Sequence, residues 1–115
     1  MNTRIIGSVK EDLAVLYLEQ NDYEIIERNF KCKIGEIDII AKKDDVIRFI
    51  EVKYRKGSFA GGASYAISQK KLLKISKIAE FYIMTHGLQE QSFSIDALLI
   101  EGDSYTYLEN IYGGM

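Results

Sequence analysis

The sequence predicts an α/β unit whose elements run α-β-β-β-α-β-β. Three observations carry this reading: apolar residues recur at helical spacing over 8–20 and 68–85, apolar and polar residues alternate in the runs between and after them, and turn-forming residues separate the two periods. With 115 residues and 47% hydrophobic content, the chain is long enough to bury a core as one domain spanning 1–115.

The first helix is expected from Ser8 to Gln20, with Ser8 as N-cap and Glu11 at the third helical position, the spacing of a capping box. Leu13, Leu16, Tyr17 and Leu18 supply its apolar stripe. Glu11 therefore has two readings, a capping carboxylate or an acid directed at a site. Asn21-Asp22 closes the helix, and Tyr23 to Phe30 reads as a strand with Tyr23, Ile25 and Glu27 on one face and Ile26 and Arg28 on the other. A loop, KCKIG, follows, and Gly35 suits a backbone that turns or bulges on entering the next strand.

From Gly35 to Arg55 two strand-like runs flank the charged turn around Asp44-Asp45. A two-residue turn or a four-residue loop gives the same register: Lys42 pairs with Ile47, and Asp38 falls opposite Glu51. Directly opposed side chains on one face lie about 5 Å apart, so two carboxylates there repel unless a cation joins them. Lys53 shares the face of Glu51 because the side-chain period of a strand is two.

The next segment, GSFAGGASYAIS, is rich in Gly and Ser and is expected to be mobile, either closing over a bound chain or only connecting elements. It lacks the GxGxxG and GxxxxGK[ST] phosphate-binding patterns. A second helix is expected from Ser68 to Thr85, with Leu72, Ile75, Ala79, Tyr82 and Ile83 on one side, Lys70, Lys74 and Lys77 opposite, and Lys71 at the border. His86-Gly87 ends it, with Gly87 in the left-handed cap position and His86 as a capping or exposed residue. Phe93 to Ile100 and Tyr105 to Ile111 read as the last strands, and the tail YGGM as frayed. Asp96 interrupts the apolar run SIDALLI, so a salt bridge or hydrogen bond within the sheet is expected there ahead of a role in a site.

Charge distribution says more than net charge. A formal −2 argues against a general nucleic-acid binder, yet between Arg48 and Lys77 eight basic residues face one acid, Glu51. That window predicts either a basic patch or a solvated helix face. Cys32 is the only cysteine, which excludes an internal disulfide and a cysteine zinc site. No apolar run approaches the ~20 residues of a membrane span, and the N-terminal stretch lacks the apolar region of a signal peptide, so a soluble, cytoplasmic protein without a membrane partner is expected.

Asp38 and Glu51 suit a hard divalent cation, Mg²⁺ or Mn²⁺, which takes one or two carboxylates plus water and substrate phosphate. The Val52 carbonyl is a further candidate ligand. Lys53 is suited to orient or deprotonate an attacking water, or to offset charge on a scissile phosphate. The competing reading is a surface ion-pair ladder across the hairpin, which contributes little.

The motifs GEIDII and EVKYR, an acid followed by ExK, in this element order resemble the PD-(D/E)XK nuclease superfamily and its Holliday-junction-resolvase-like branch. Nearly the whole chain resembles the YraN family of small, uncharacterised bacterial proteins. The matching residues are Glu11, Ala14, Tyr17-Leu18, Arg28-Asn29, Gly35-Glu36-Ile37-Asp38, Glu51-Val52-Lys53, Arg55, Lys71 and Asp96. The resemblance implies a mixed central sheet flanked by helices, a restriction-endonuclease-like core, metal at Asp38 and Glu51, and Lys53 as the catalytic lysine. It also implies Glu11 as a site acid and Lys71 as a phosphate contact. The chain departs from the family pattern at Lys10 and Asp22, where Gly is usual, and at Ser94-Ile95, where Arg-Phe is usual.

The functional expectation is a metal-dependent endonuclease acting on DNA, favoured over RNA, with structured or branched DNA among its substrates. Its site residues are Asp38, Glu51, Lys53 and Glu11, with Arg55, Lys70, Lys71 and Lys74 on nucleic acid and a homodimer as a further option. The alternatives are a non-catalytic nucleic-acid-binding module and a protein-interaction domain.

Overall fold

The computed structural model describes residues 3–55 and 67–112, with side chains described from residue 9 onward. Its elements are α1 (Thr3–Gln20), β1 (Glu24–Cys32), β2 (Gly35–Lys43), β3 (Val46–Arg55), α2 (Gln69–Thr85), β4 (Ser92–Glu101) and β5 (Ser104–Leu108). The expected order is therefore observed. One five-stranded sheet runs β1-β2-β3-β4-β5, antiparallel throughout except for β3 and β4, which are parallel because α2 carries the chain back across the sheet. The segment expected to be mobile, apart from Ile67 and Ser68, and the tail after Tyr112 lie outside the described residues.

Each helix covers one face of the sheet. Leu72, Ile75, Ile78, Ala79, Tyr82 and Ile83 of α2 pack on Ile37, Ile40, Ile47, Phe49 and Ile95. Ala14 and Leu18 of α1 pack on Ile39, Ala41, Ile50, Leu98 and Ile100 on the other side. Both faces being covered, the central strands β3 and β4 carry near-continuous apolar runs rather than strict alternation.

The hairpin turn is the two-residue form. Asp44 and Asp45 have φ of 54° and 62°, the left-handed pair of a type I′ turn, and Lys42 pairs with Ile47 as the sequence predicts. At the start of α2, the Ser68 hydroxyl accepts from the Lys71 N–H at 3.1 Å. At its end Leu88 N–H donates to Ile83 and Gly87 N–H to Met84, a Schellman closure that requires the positive φ of Gly87.

Four expectations change. The first helix begins at Thr3, so Ser8 lies inside it and Glu11 is a mid-helix residue rather than part of a capping box; the S-x-x-E spacing also places two residues one turn apart on a continuing helix. Leu13 and Leu16 are exposed, and Ala14 and Leu18, at i and i+4, form the buried stripe. In β1 a bulge at Ile26 shifts the phase by one residue, so Arg28 joins Tyr23 and Ile25 on the α1 face and reaches Asp12. The last strand ends at Leu108 because Asn110 turns the chain at positive φ.

Candidate metal centre

The hydrogen-bonded ladder between β2 and β3 stops at Ile39 and Ile50, one step short of Asp38 and Glu51. β2 changes phase at this point: Ile40 and Ile37 face α2, whereas Ala41 and Ile39 face α1. Asp38 sits at the slip, where its carboxylate turns toward β3 and accepts the Val52 N–H at 2.8 Å. The side chain thus replaces a ladder carbonyl that the splayed strands no longer supply.

Glu51, on the α2 face, is only 8% exposed. Burial, then a shared hydrogen bond with Asp38 and the negative charge of Asp38, push its carboxyl up to about 8, while Lys71 and Lys53 pull it the other way. Glu51 is thereby the carboxyl of the two that burial and its neighbour favour in the protonated form. Lys71 Nζ lies 3.9 Å from Glu51 Oε2, within ion-pair range but too far for a hydrogen bond. That oxygen has no hydrogen-bond partner. A buried acceptor left open in this way is suited to a cation.

Of the residues singled out in the sequence, the structure brings together Asp38, Glu51, Lys53 and Lys71. Lys53 is half-buried and close enough to act electrostatically on Glu51. Lys70 and Lys74 are exposed on α2, and Arg55 ends β3 opposite Glu101. Glu11 projects from α1 to β1 instead. Its Oε2 accepts from Asn29 Nδ2 at 2.6 Å and lies 3.7 Å from Arg28, which bonds Asp12 at 2.7 Å. Asn29 sits between Arg28 and Phe30, whose partners Ile39 and Ile37 flank Asp38. Glu11 is thus held against β1, and among the described residues no three His, Cys, Asp or Glu side chains are arranged to hold a metal.

Asp96 has the expected internal partners. It is fully buried, accepting from the Tyr107 hydroxyl and from Asn110 N–H at 2.8 Å, with Arg48 Nη1 3.5 Å away. Burial, and then Asp96, push the Tyr107 hydroxyl far up from its ordinary value. Arg48 also donates to Ser94, its register partner across β3 and β4, at 3.3 Å. Where the family pattern has Arg, this chain has Ser94, and the guanidinium beside Asp96 comes from the neighbouring strand. Sequence reasoning treated Arg48 as part of a basic patch, although its place within the apolar run VIRFI marks it as inward-facing.

Fold and site together define an α/β protein with a buried glutamate beside a half-buried aspartate at the splayed end of a β-hairpin, flanked by lysines. Residues 10–100 match the uncharacterised protein family UPF0102, also called the YraN family, and the chain belongs to it. It is 44% identical over 114 residues to the UPF0102 protein of Fusobacterium nucleatum, covering 99% of this chain and 96% of that one. The UPF0102 proteins of Sulfurovum sp. and Campylobacter lari are each 46% identical, over 94% and 93% of both chains respectively.

Proposed function

We propose that this protein is a divalent-metal-dependent nuclease that hydrolyses phosphodiester bonds in DNA, structured or branched forms included. One observation carries the reading: Glu51 Oε2 is buried without a hydrogen-bond partner, beside a second carboxylate and within reach of lysine charge. An all-oxygen donor set of Asp38, Glu51 and the Val52 carbonyl fits Mg²⁺ or Mn²⁺, with the other positions left to water and phosphate. Such a cation, when bound, polarises the phosphoryl group and acidifies water.

The chain's own residues do the rest. The Val52 N–H fixes Asp38 in orientation, and Glu51 gives up its proton as the pair is neutralised. Lys53 orients the attacking water or takes its proton, and offsets charge on the phosphate. The water oxygen bonds to phosphorus, the bond to the leaving sugar oxygen breaks, and that oxygen takes a proton from solvent. Lys71 contacts the reacting phosphate, with Lys70, Lys74 and Arg55 on its neighbours. Glu11 remains the candidate third acid, released from Asn29 and Arg28. DNA is favoured over RNA, and a homodimer would present two such sites to a branched substrate.

The test is incubation with linear, nicked, flapped and four-way DNA in Mg²⁺ or Mn²⁺. Cleavage that persists in Asp38→Asn or Glu51→Gln protein overturns the assignment. One observation favours a second reading, a non-catalytic nucleic-acid-binding module: a third carboxylate is missing from the pair among the described residues. That reading predicts salt-dependent binding without cleavage, weakened by Lys70→Glu or Lys74→Glu.

A further inference from the structure

A groove of about 420 Å³ opens between the β1–β2 connection and α2, and Lys71 links it to Glu51. Lys31, Lys71 and Lys74 stand exposed at its rim, and the buried Ile75 and Ile78 form its floor with the half-buried Cys32. Lys71 belongs to both places, since it lines the groove and lies 3.9 Å from Glu51 Oε2. Gly35 keeps the wall low: a Cβ there would come within 3.2 Å of Lys74 Cε and 3.3 Å of Ile78 Cδ1. The groove thus combines a cationic rim with an apolar floor, and its volume falls within the range of small-ligand sites, roughly 300–1,000 Å³.

We infer that this groove receives one unpaired nucleotide of the strand whose phosphate lies at the acidic pair. The inference rests on the nuclease reading and names what that site selects. Three lysines against the single acid Glu36 favour a phosphate at the rim, while the half-buried Cys32 and the aliphatic stems of the lysines, above the buried Ile75 and Ile78, offer a surface for a base. A base held in a duplex stack cannot enter, because it must leave its partner to reach the floor. Single strands, flaps and frayed ends are therefore accepted ahead of continuous duplex, with little sequence preference.

Cys32 makes the idea testable, since it is the sole cysteine and lines the groove. The full chain, in Ca²⁺ to hold binding without cleavage, is titrated with labelled single-stranded DNA, single-stranded RNA and blunt duplex of one sequence, and alkylation of Cys32 by iodoacetamide is timed with and without each. At least one single strand is expected to bind about tenfold tighter than duplex and to slow alkylation about tenfold. Lys31→Ala should lower the salt dependence of single-strand binding by about one phosphate contact. Equal binding of single strand and duplex, or tight single-strand binding that leaves alkylation unchanged, overturns the groove assignment. Metal-dependent cutting of duplex that requires Glu51 would then still stand. Failure to bind any nucleic acid removes both.

Discussion

Asp96 and Glu51 are both buried acids in the same sheet, one on β4 and one on β3, and their surroundings differ in kind. Asp96 is fully satisfied: a tyrosine hydroxyl, a backbone N–H and a guanidinium surround it. Glu51 has a second carboxyl beside it, a lysine at ion-pair distance and one oxygen with no hydrogen bond. A buried acid whose partners are complete holds the fold together. One whose partners are incomplete, at a place where strands separate, is available for chemistry.

The contrast can be broken in a fixed order of effect. Asp96→Ala strands Arg48 in the interior and should lower stability by about 3–5 kcal/mol, read as a reduced midpoint in urea, with the proposed metal site untouched in whatever fraction stays folded. Glu51→Gln should do the reverse, keeping the fold while lowering metal-dependent cleavage by on the order of 10²-fold or more in single-turnover assays. Similar stability loss in both variants would erase the distinction. In wild type, Mn²⁺ at about 100 times its dissociation constant should raise stability by about 2.7 kcal/mol, and Asp38→Asn should abolish that rise in a thermal melt. Tyr107→Phe removes one hydrogen bond to a charged group and should lower stability by about 1.5–3 kcal/mol without changing the response to metal.

The pH response sharpens the comparison further. Folded Glu51 keeps its proton up to about pH 8, whereas the unfolded chain releases it near 4.5. Without metal, the stability owed to the protonated form is complete below about 4.5 and is lost as pH rises toward about 8, because the unfolded state then binds fewer protons. Denaturation at about pH 5 and pH 9 should show wild type losing stability relative to Glu51→Gln across that interval. Saturating Mn²⁺ should shrink the difference, since it displaces the proton.

Much of the site was legible because its geometry is local. Asp44-Asp45 at the turn fixes the register of β2 and β3 as far as Ile39 and Ile50, which carries Asp38 and Glu51 to the end of the ladder; the phase slip that turns Asp38 onto the Val52 N–H has no signal in the alternating pattern. The bulge at Ile26 was hidden because Ile25 and Ile26 are both apolar, so an inserted residue leaves no gap in the pattern. The exposed face of α1 carries no distinguishing signal for a related reason: Leu13 and Leu16 are as apolar as Ala14 and Leu18, which it buries. Longer-range partners had no local signal. Arg48 meets Asp96 and Lys71 meets Glu51 only after α2 folds back and sets β4 beside β3.

The Val52 N–H has a consequence for spectroscopy. It is protected by a side-chain carboxylate where the backbone ladder has already ended. A cation that draws on Asp38 weakens that bond, so the amide resonance of Val52 should move and its deuterium exchange should quicken when metal is added. One backbone proton can therefore report occupancy of the site in the absence of any substrate, even in a variant that cuts nothing.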